Sequence, residues 1–185
     1  MKAKARIISG WDNALSAARF TVGKATEEGK QPSESWKKSM CMAEHSPLRE
    51  VVYRVDCFDM PRRAMTHLVR HHEGIEKYVE TSRPDRNPNA NGDAVNVSLT
   101  VNAQAVIQIS RSRLCGTSWH ETRTSWARIL AAINEVDPTI LAWCQPRCVR
   151  IGACPEPQCC GYIRTLSYAR SRERYLSNFM EVYAK

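Results

Sequence analysis

The chain has 185 residues, of which 43% are hydrophobic and 25% charged, and its net charge is +8. This length fits one domain with its own core, and the composition excludes fibrous and intrinsically disordered proteins. No apolar run is long enough to span a bilayer, and the basic N-terminus lacks a signal-peptide core, so we predict a cytoplasmic protein. The positive charge predicts anionic partners, such as nucleotides or cofactors that carry phosphate.

The N-terminal quarter predicts a strand followed by two helices. Lys4–Ser9 is rich in β-prone residues, and Gly10 breaks this run. Asp12 is then a candidate N-cap for a helix over Asn13–Phe20. Ser33 opens a second predicted helix, which ends near His45 because the following Ser-Pro pair disfavours helical geometry.

The clearest strand is Arg49–Phe58, because its residues alternate in hydrophobicity. Pro61 then opens a helix with an apolar face, which predicts that Arg70–His72 lie at its C-terminus. Cations are favourable at a helix C-terminus. Pairing with the helix dipole is therefore an alternative to ligand binding for these three residues.

Further helices are predicted after the turn-rich loop Pro84–Asp93. Asn96–Arg113 has helical character, clearest from Asn102 onward. On a helix its polar side chains fall on two faces. Gln104, Gln108 and Arg111 share one face, and Asn102, Val106, Ile109 and Arg113 share the other. We expect such a helix to lie between two sites, or one of the two polar sets to be only solvated.

Trp119–Ile133 predicts a long helix, since its apolar residues recur at steps of three and four. Trp119 and Trp126 both belong to this stripe, so both are predicted to be buried. Asp137 and Pro138 predict the start of a short helix that reaches Cys144. Tyr168–Tyr183 has near-helical spacing of its aromatic residues. We expect residues 1–143 to form the main domain, with the cysteine-rich segment and C-terminal helix of 144–185 packed on it.

The stretch His67–Arg86 is the densest in groups that bind anions and titrate near neutrality. It combines three histidines and three arginines with the hydroxyl pair Thr81 and Ser82. The stretch also contains Gly74 and Pro84, so it opens into a loop, where ligand sites usually lie. It is the first candidate for a functional site.

The cysteines form a second candidate. Eight cysteines in a chain without a secretion signal favour reduced thiols or metal binding over disulfides. Tetrahedral zinc needs four thiolate or imidazole ligands. The predicted structural zinc ligands are Cys148, Cys154, Cys159 and Cys115. Free reduced thiols and a redox function are the alternatives.

The chain contains no GxGxxG, Walker, HExxH or GxSxG motif. Instead, Arg70-His71-His72 followed by Thr81-x-Arg83 resembles the Arg-His-Arg … Ser-x-Arg signature of the flavin-dependent thymidylate synthases. Three further blocks in the same chain order agree with this family. They are His45-Ser46-Pro47 before a strand, Asn102-x-Gln104 with Gln108 and Arg113, and Trp119-x-Glu121-Thr122-Arg123.

The chain departs from the family pattern at several positions. His72 replaces the last Arg of the signature, and His67 stands where the family has a Gln. Tyr78-Val79 replaces an Asn-Glu pair, and Gln104 replaces an Arg. The segment between the signature and the later helix is also much shorter, being compressed into residues 83–95.

The resemblance implies an α+β fold with a small antiparallel or mixed sheet, several long helices and a homotetrameric assembly. It implies a flavoprotein methyltransferase that binds FAD and converts deoxyuridine monophosphate (dUMP) to thymidylate. Methylenetetrahydrofolate would supply the carbon, and NADPH would reduce the flavin. The absence of a Pro-Cys-His nucleophile, which classical thymidylate synthases use, agrees with this expectation.

The resemblance also implies roles for individual residues. Arg70 and His71 are the candidate catalytic residues, with Arg70 stabilising negative charge on the base. Arginine suits phosphate because its guanidinium donates paired hydrogen bonds. The candidate nucleotide-binding residues are His67, Arg70, Thr81, Arg83 and Arg113. The candidate FAD-binding residues are His45, Ser46, His71, His72, Asn102, Gln104 and Gln108.

Two alternatives remain open at the level of sequence. The first keeps the fold but changes the product, for example to a hydroxymethylated pyrimidine nucleotide. The second is a basic zinc-containing module that binds nucleic acid through Arg170, Arg172 and Arg174 near Tyr168 and Tyr175. A solvated basic helix with its aromatic residues packed inward is the simpler interpretation of that tail, so we expect no nucleic-acid partner.

Overall fold

The computed structural model describes residues 1–88, 90 and 92–183. Within these residues the strands are β1 (Lys2–Ser9), β2 (Val52–Pro61), β3 (Ile75–Val79) and β4 (Ala94–Asn102). They form an antiparallel sheet with the spatial order β1-β2-β4-β3. Asn89 and Asn91 of the predicted loop Pro84–Asp93 lie outside the described residues.

The helices precede and follow the strands along the chain. Over the described ranges they are α1 (Trp11–Thr21), α2 (Glu34–Ala43), α3 (Arg62–Leu68), α4 (Ala103–Arg113), α5 (His120–Val136), α6 (Arg147–Ile151) and α7 (Leu166–Tyr183). Short 3-10 turns occur at Ser46–Arg49, Leu141–Trp143 and Tyr162–Arg164. The start predicted at Ser33 is confirmed, because its hydroxyl accepts a hydrogen bond from the backbone N–H of Trp36.

The core lies between one face of the sheet and α5. Tyr53 and Val55 of β2 are paired with Val101 and Leu99 of β4, and all four side chains are fully buried. The alternation predicted for β2 is therefore confirmed. Trp126 of α5 is also fully buried, and α5 packs against β1 and β2. Apolar burial of this kind contributes about 25 cal/mol per Å² to folding.

Three predicted helix starts are wrong, and the first two concern α1 and α4. The N-cap of α1 is Gly10, and Asp12 lies inside the first turn without capping it through its side chain. A carboxylate there still complements the helix dipole. The second correction concerns Asn96–Asn102, which belong to β4 and not to a helix. The physical reason is the alternation of Val95, Val97, Leu99 and Val101, which all face the core.

Asp137 does not begin the predicted helix to Cys144, since that region contains only the turn Leu141–Trp143. Its buried carboxylate instead accepts hydrogen bonds from the indole of Trp11 at 2.8 Å, the hydroxyl of Tyr53 at 2.7 Å and the N–H of Thr139 at 3.0 Å. A buried carboxylate needs such partners to offset its desolvation. Asp137 thereby joins α1, β2 and the chain after α5.

The C-terminal helix packs on the rest of the molecule. Tyr175 is 4% exposed, and its ring meets those of Trp143 and Phe179 edge to face. Arg172 donates to the carbonyls of Val149 and Arg150 at the end of α6. These contacts hold Tyr175, Phe179 and Arg172 inward, in agreement with the simpler interpretation for these residues, whereas Tyr183 is 69% exposed. None of the described helices is long and apolar enough to cross a membrane.

Candidate functional site

Three adjoining clefts follow one side of α4. We call them the amide, histidine and tryptophan clefts, and together the α4 groove. The amide cleft shares Glu73, Ala105 and Gln108 with the histidine cleft, and the histidine cleft shares Arg70 and Ser112 with the tryptophan cleft. Since neighbouring clefts have walls in common, one extended ligand or two adjacent ligands fit along the helix.

The amide cleft has a volume of about 430 Å³ and is lined by Arg49, Asn102, Gln104 and Gln108. Gln104 is fixed from two sides, because its Nε2 donates to the Glu44 carbonyl at 2.8 Å and its Oε1 accepts from Arg49 Nε at 2.7 Å. Neutral amides held in this way suit the carbonyl and N–H edges of a heteroaromatic ring.

Glu44 is the support beneath Gln104. Its backbone adopts the left-handed conformation with φ 50° and ψ 40°, and its carboxylate forms ion pairs with Arg111 and Arg150. Arg111 therefore holds α4 to the end of α2 and to α6. Arg111 is predicted to share a face with Gln104 and Gln108, but it does not line the amide cleft. Its ion pair with Glu44 gives it a structural role.

Gly74 closes the amide cleft beside the N-terminus of α4. Its φ is +67°, which L-residues rarely adopt, and an added Cβ would lie 2.5 Å from Nδ2 of Asn102. Asn102 in turn caps α4, with its Oδ1 accepting from the Ala105 N–H at 2.8 Å. Glycine is thus required for the close approach of this loop to the helix cap.

The histidine cleft has a volume of about 380 Å³ and contains Arg70, His71 and His72. These residues do not end α3 as predicted, because α3 ends at Leu68 and the chain continues through a turn. Nε2 of His71 accepts a hydrogen bond from Nε of Arg113 at 2.8 Å, and its carbonyl accepts one from Lys77. The cluster is therefore held by α4 and β3 together.

His71 is neutral at physiological pH. Burial, together with the nearby cations of Arg113 and Lys77, lowers the pKa of His71 from 6.5 to about 4. A protonated imidazole has no lone pair at Nε2, so the hydrogen bond from Arg113 itself requires the neutral form. Pairing of a cationic His71 with a helix dipole is therefore excluded.

The tryptophan cleft has a volume of about 470 Å³, and its lining includes His67, Arg70, Arg113 and Trp119. Arg113 donates from Nη2 to the His67 carbonyl at 2.9 Å. Nδ1 of His67 lies 2.8 Å from the hydroxyl of Thr122. Burial, Arg113 and Arg70 lower the pKa of His67, so this ring too favours its neutral form.

The two predicted faces of α4 contribute to the same groove. Gln104 and Gln108 come from one face, while Asn102 and Arg113 come from the other. The two sets therefore line adjoining clefts of one groove within this chain, and the expectation that both serve ligand sites stays a prediction. Asn102 precedes the helix as its cap, and the long side chain of Arg113 reaches back to His71, so neither is confined to one face.

Four predicted ligand residues lie outside the α4 groove. His45 and Ser46 line a different cleft of about 490 Å³ between α1 and α2, which shares no lining residue with the groove. Thr81 and Arg83 follow the far end of β3, roughly 20 Å from Gly74 at the usual rise per strand residue. Both are exposed, and the Thr81 hydroxyl accepts from the Arg83 N–H at 3.2 Å.

Trp119 is the residue that the sequence pattern misplaced. It is 55% exposed and stands at the N-cap of α5, whereas Trp126 on the same predicted stripe is fully buried. Its ring lies under the guanidinium of Arg63, with 5.2 Å from the carbon of that group to the ring centroid. The signal that distinguishes the two tryptophans is position, because Trp119 precedes the first helical residue.

The predicted zinc site is not formed. Among the described residues, no three His, Cys, Asp or Glu side chains are placed to hold a metal ion. Burial, together with the neighbouring Cys115, raises the pKa of Cys148 and favours its thiol over the thiolate that zinc needs. Cys159 instead accepts from the Gly161 N–H at 3.4 Å. The four candidates sit on a turn, a short helix and a loop, without the paired CxxC spacing that positions ligands.

No family model matches this chain, and no curated protein matches it by sequence. Solved structures match it by fold. A structure of thymidylate synthase X (ThyX) from Helicobacter pylori with FAD and dUMP gives a TM-score of 0.60 at 13% identity, over 78% of this chain and 99% of that chain. A second structure of this flavin-dependent enzyme with FAD and dUMP gives 0.56 at 13% identity, over 71% and 93%.

A UMP/dUMP methylase, PolB from Streptomyces cacaoi bound with 5-Br dUMP, gives a TM-score of 0.57 at 11% identity, over 77% of this chain and 94% of that chain. The chain thus has the fold of the flavin-dependent thymidylate synthases. The resemblance identified in the sequence and the predicted α+β class with a small antiparallel sheet are both confirmed at this level.

Proposed function

We propose that this chain is a flavin-dependent enzyme that methylates dUMP to thymidylate, with methylenetetrahydrofolate as carbon donor and NADPH as reductant. The observation that carries the proposal is the α4 groove. It places two arginines and a neutral histidine beside fixed amide groups, within a fold shared with enzymes whose structures hold dUMP or 5-Br dUMP. Cationic and amide groups in this order suit a phosphate at one end and a heteroaromatic ring at the other.

The donor set of the amide and histidine clefts fits a flavin ring. Gln104, Gln108 and Asn102 offer amide donors and acceptors, and His71 is neutral, so its imidazole places no positive charge against the ring. We assign these residues, together with His72, to FAD. When bound, FAD supplies the hydride that reduces the transferred one-carbon group.

The tryptophan cleft is assigned to the nucleotide. Arg113 is anchored by His71 and His67, and it keeps further guanidinium N–H groups for a phosphate. His67 presents its imidazole to the same cleft, in a position to exchange a hydrogen bond with the base. Since Arg70 lines both this cleft and the histidine cleft, it is the residue that would stabilise negative charge between base and flavin.

The predicted ligand residues outside the α4 groove are explained if the site is completed by another subunit. Thr81 and Arg83 are exposed, follow the far end of β3 and line none of the three clefts of the α4 groove. We propose that a neighbouring subunit of a homotetramer brings them to the nucleotide phosphate. We assign the α1–α2 cleft with His45 and Ser46 to a further part of FAD.

The first test is a titration of the purified protein with FAD. Binding is expected to quench FAD fluorescence, and dUMP added afterwards is expected to perturb the flavin absorption more than the deoxycytidine compound does. The full mixture with methylenetetrahydrofolate and NADPH should then yield thymidylate. Absence of FAD binding would overturn the proposal.

A hydroxymethylated product is the second candidate. The change at His67, which replaces the glutamine of the family pattern and lies in the wall of the tryptophan cleft, leaves this product open. Mass spectrometry of the product distinguishes the two reactions, because hydroxymethylation leaves one additional oxygen atom on the transferred carbon.

A further inference from the structure

Trp119 combines an exposed aromatic ring with a place in the wall of the tryptophan cleft. Its side chain is 55% exposed although it lines a cleft. Removing an aromatic side chain of this size from water is strongly favourable. Single exposed apolar side chains are common, as Phe20 at 78% shows, so it is the position of Trp119 in a cleft that also holds two arginines that points to a ligand.

The ring is held in a fixed orientation before any ligand arrives. The Arg63 guanidinium lies over it, with its carbon 5.2 Å from the ring centroid. The imidazole of His67 meets it edge to face, with centroids 6.5 Å apart and planes at 72°. His67 is itself held by the Thr122 hydroxyl at 2.8 Å. Because the indole is already ordered, little side-chain entropy is lost when a planar ligand stacks on it.

The chemistry of the tryptophan cleft defines the class of ligand. Two arginines, Arg70 and Arg113, line the cleft against one carboxylate, Glu156, so the excess of positive charge favours an anionic group, while Trp119 provides a flat aromatic surface. An inorganic anion would not use the indole, and an uncharged aromatic compound would not use the arginines. A nucleoside monophosphate carries both a planar base and a phosphate.

We infer that Trp119 stacks on the pyrimidine ring of the bound nucleotide and so sets the affinity for the base, separately from the arginines that hold the phosphate. This inference rests on the proposed function, since it takes the nucleotide as the ligand of this cleft. Stacking of one base on an aromatic side chain corresponds to about 5-fold to 100-fold in affinity.

The experiment compares two ligands, dUMP and deoxyribose 5-phosphate, which lacks the base. Calorimetry is carried out on the wild type and on Trp119→Ala, both loaded with FAD. The variant is expected to bind dUMP about 10-fold more weakly and to bind deoxyribose 5-phosphate as the wild type does. Trp119→Phe, which keeps an aromatic surface, is expected to retain most of the dUMP affinity.

The matched control is Phe20→Ala, which removes an aromatic side chain that is 78% exposed on α1 and lines none of the three clefts of the α4 groove. Circular dichroism and FAD affinity verify that each variant is folded. An equal loss for both ligands, or no loss for dUMP, would overturn the inference while leaving the proposed function intact. A wild type that binds FAD but no dUMP would overturn both.

Discussion

Arg113 and Arg83 are both assigned to the nucleotide phosphate, but they lie in contrasting surroundings. Arg113 is half-buried, and its guanidinium donates to the ring of His71 and to the His67 carbonyl. Arg83 is exposed in a loop after β3, where the described hydrogen bonds are local to the loop. One arginine is thus oriented by its own chain, whereas the other can be oriented only by something added, either a ligand or another subunit.

The part of the site around Arg113 is therefore ordered within one chain, whereas the part that contains Arg83 is ordered only when a ligand or another subunit binds. A preorganised donor contributes more to affinity because its ordering entropy is lost during folding and not during binding. An exposed arginine loses that entropy when the ligand binds. We therefore expect the two arginines to differ in how much they contribute to affinity and in whether their contribution depends on oligomerisation.

The largest expected effect is that of Arg113→Ala. Loss of an anchored charged donor should weaken dUMP binding by about 100-fold, since truncation of a buried charged partner typically costs 2–5 kcal/mol. FAD affinity should change much less. Calorimetry with dUMP measures this, and Arg6→Ala, on an exposed position of β1, is the control. Wild-type dUMP affinity in Arg113→Ala would refute its assignment.

Gly74→Ala tests the loop that supports the N-terminus of α4 beside the amide cleft. The left-handed backbone and the 2.5 Å approach to the Asn102 amide predict a loss of about 2 kcal/mol in the free energy of unfolding. Urea denaturation measures the loss, and Gly23→Ala is a matched control because that glycine has a similar φ of +70° but no neighbour within 4 Å of an added Cβ. If both variants lose equal stability, the contact with Asn102 has no energetic role.

Arg83→Ala should weaken dUMP binding by about 10-fold, less than Arg113→Ala, because its side chain must be ordered on binding. Mixing subunits tests where it acts. Neither Arg83→Ala nor Arg113→Ala alone forms an intact site, but a statistical mixture of the two should recover about a quarter of the sites if each site takes one arginine from each of two subunits. No recovery would place both arginines in one chain's site.

The smallest expected effect is a dependence of stability on pH. The pKa of His71 falls from 6.5 in the unfolded chain to about 4 in the folded chain, so the unfolded state binds more protons between these values. The free energy of unfolding should therefore decrease as the pH falls from about 6.5 toward 4. Urea denaturation across this range should show a smaller decrease in His71→Asn, and an identical decrease would contradict the role of His71.

The sequence predicted those parts of the fold in which a single period dominates. The alternation in β2 and the spacing of Trp126 with Ile129 and Ile133 on α5 both led to buried faces. The prediction is wrong where two patterns meet along the chain. Asn102 is both the last residue of β4 and the N-cap of α4. Because no loop separates the two elements, the predicted helix extends wrongly into the strand.

The site was predictable in its residues but not in its arrangement. Arg70, His71 and Arg113 were identified through the family resemblance, and the structure brings them together along α4. Their mutual hydrogen bonds depend on tertiary packing, which local spacing does not encode. The exposure of Trp119 was missed for the same reason, since a step of seven residues from Trp126 looks identical whether or not the helix has begun.

Asp137 has a consequence for the order of folding. Its carboxylate binds Trp11, which is 126 residues away in the sequence, and Tyr53, which is 84 residues away. Bringing such distant segments together carries a loop-closure entropy that must be overcome before these hydrogen bonds form. Their formation is thus expected after the transition state, and Asp137→Ala should accelerate unfolding far more than it slows folding. The Asp137 carboxylate would then determine mainly the unfolding rate, and with it the lifetime of the native state.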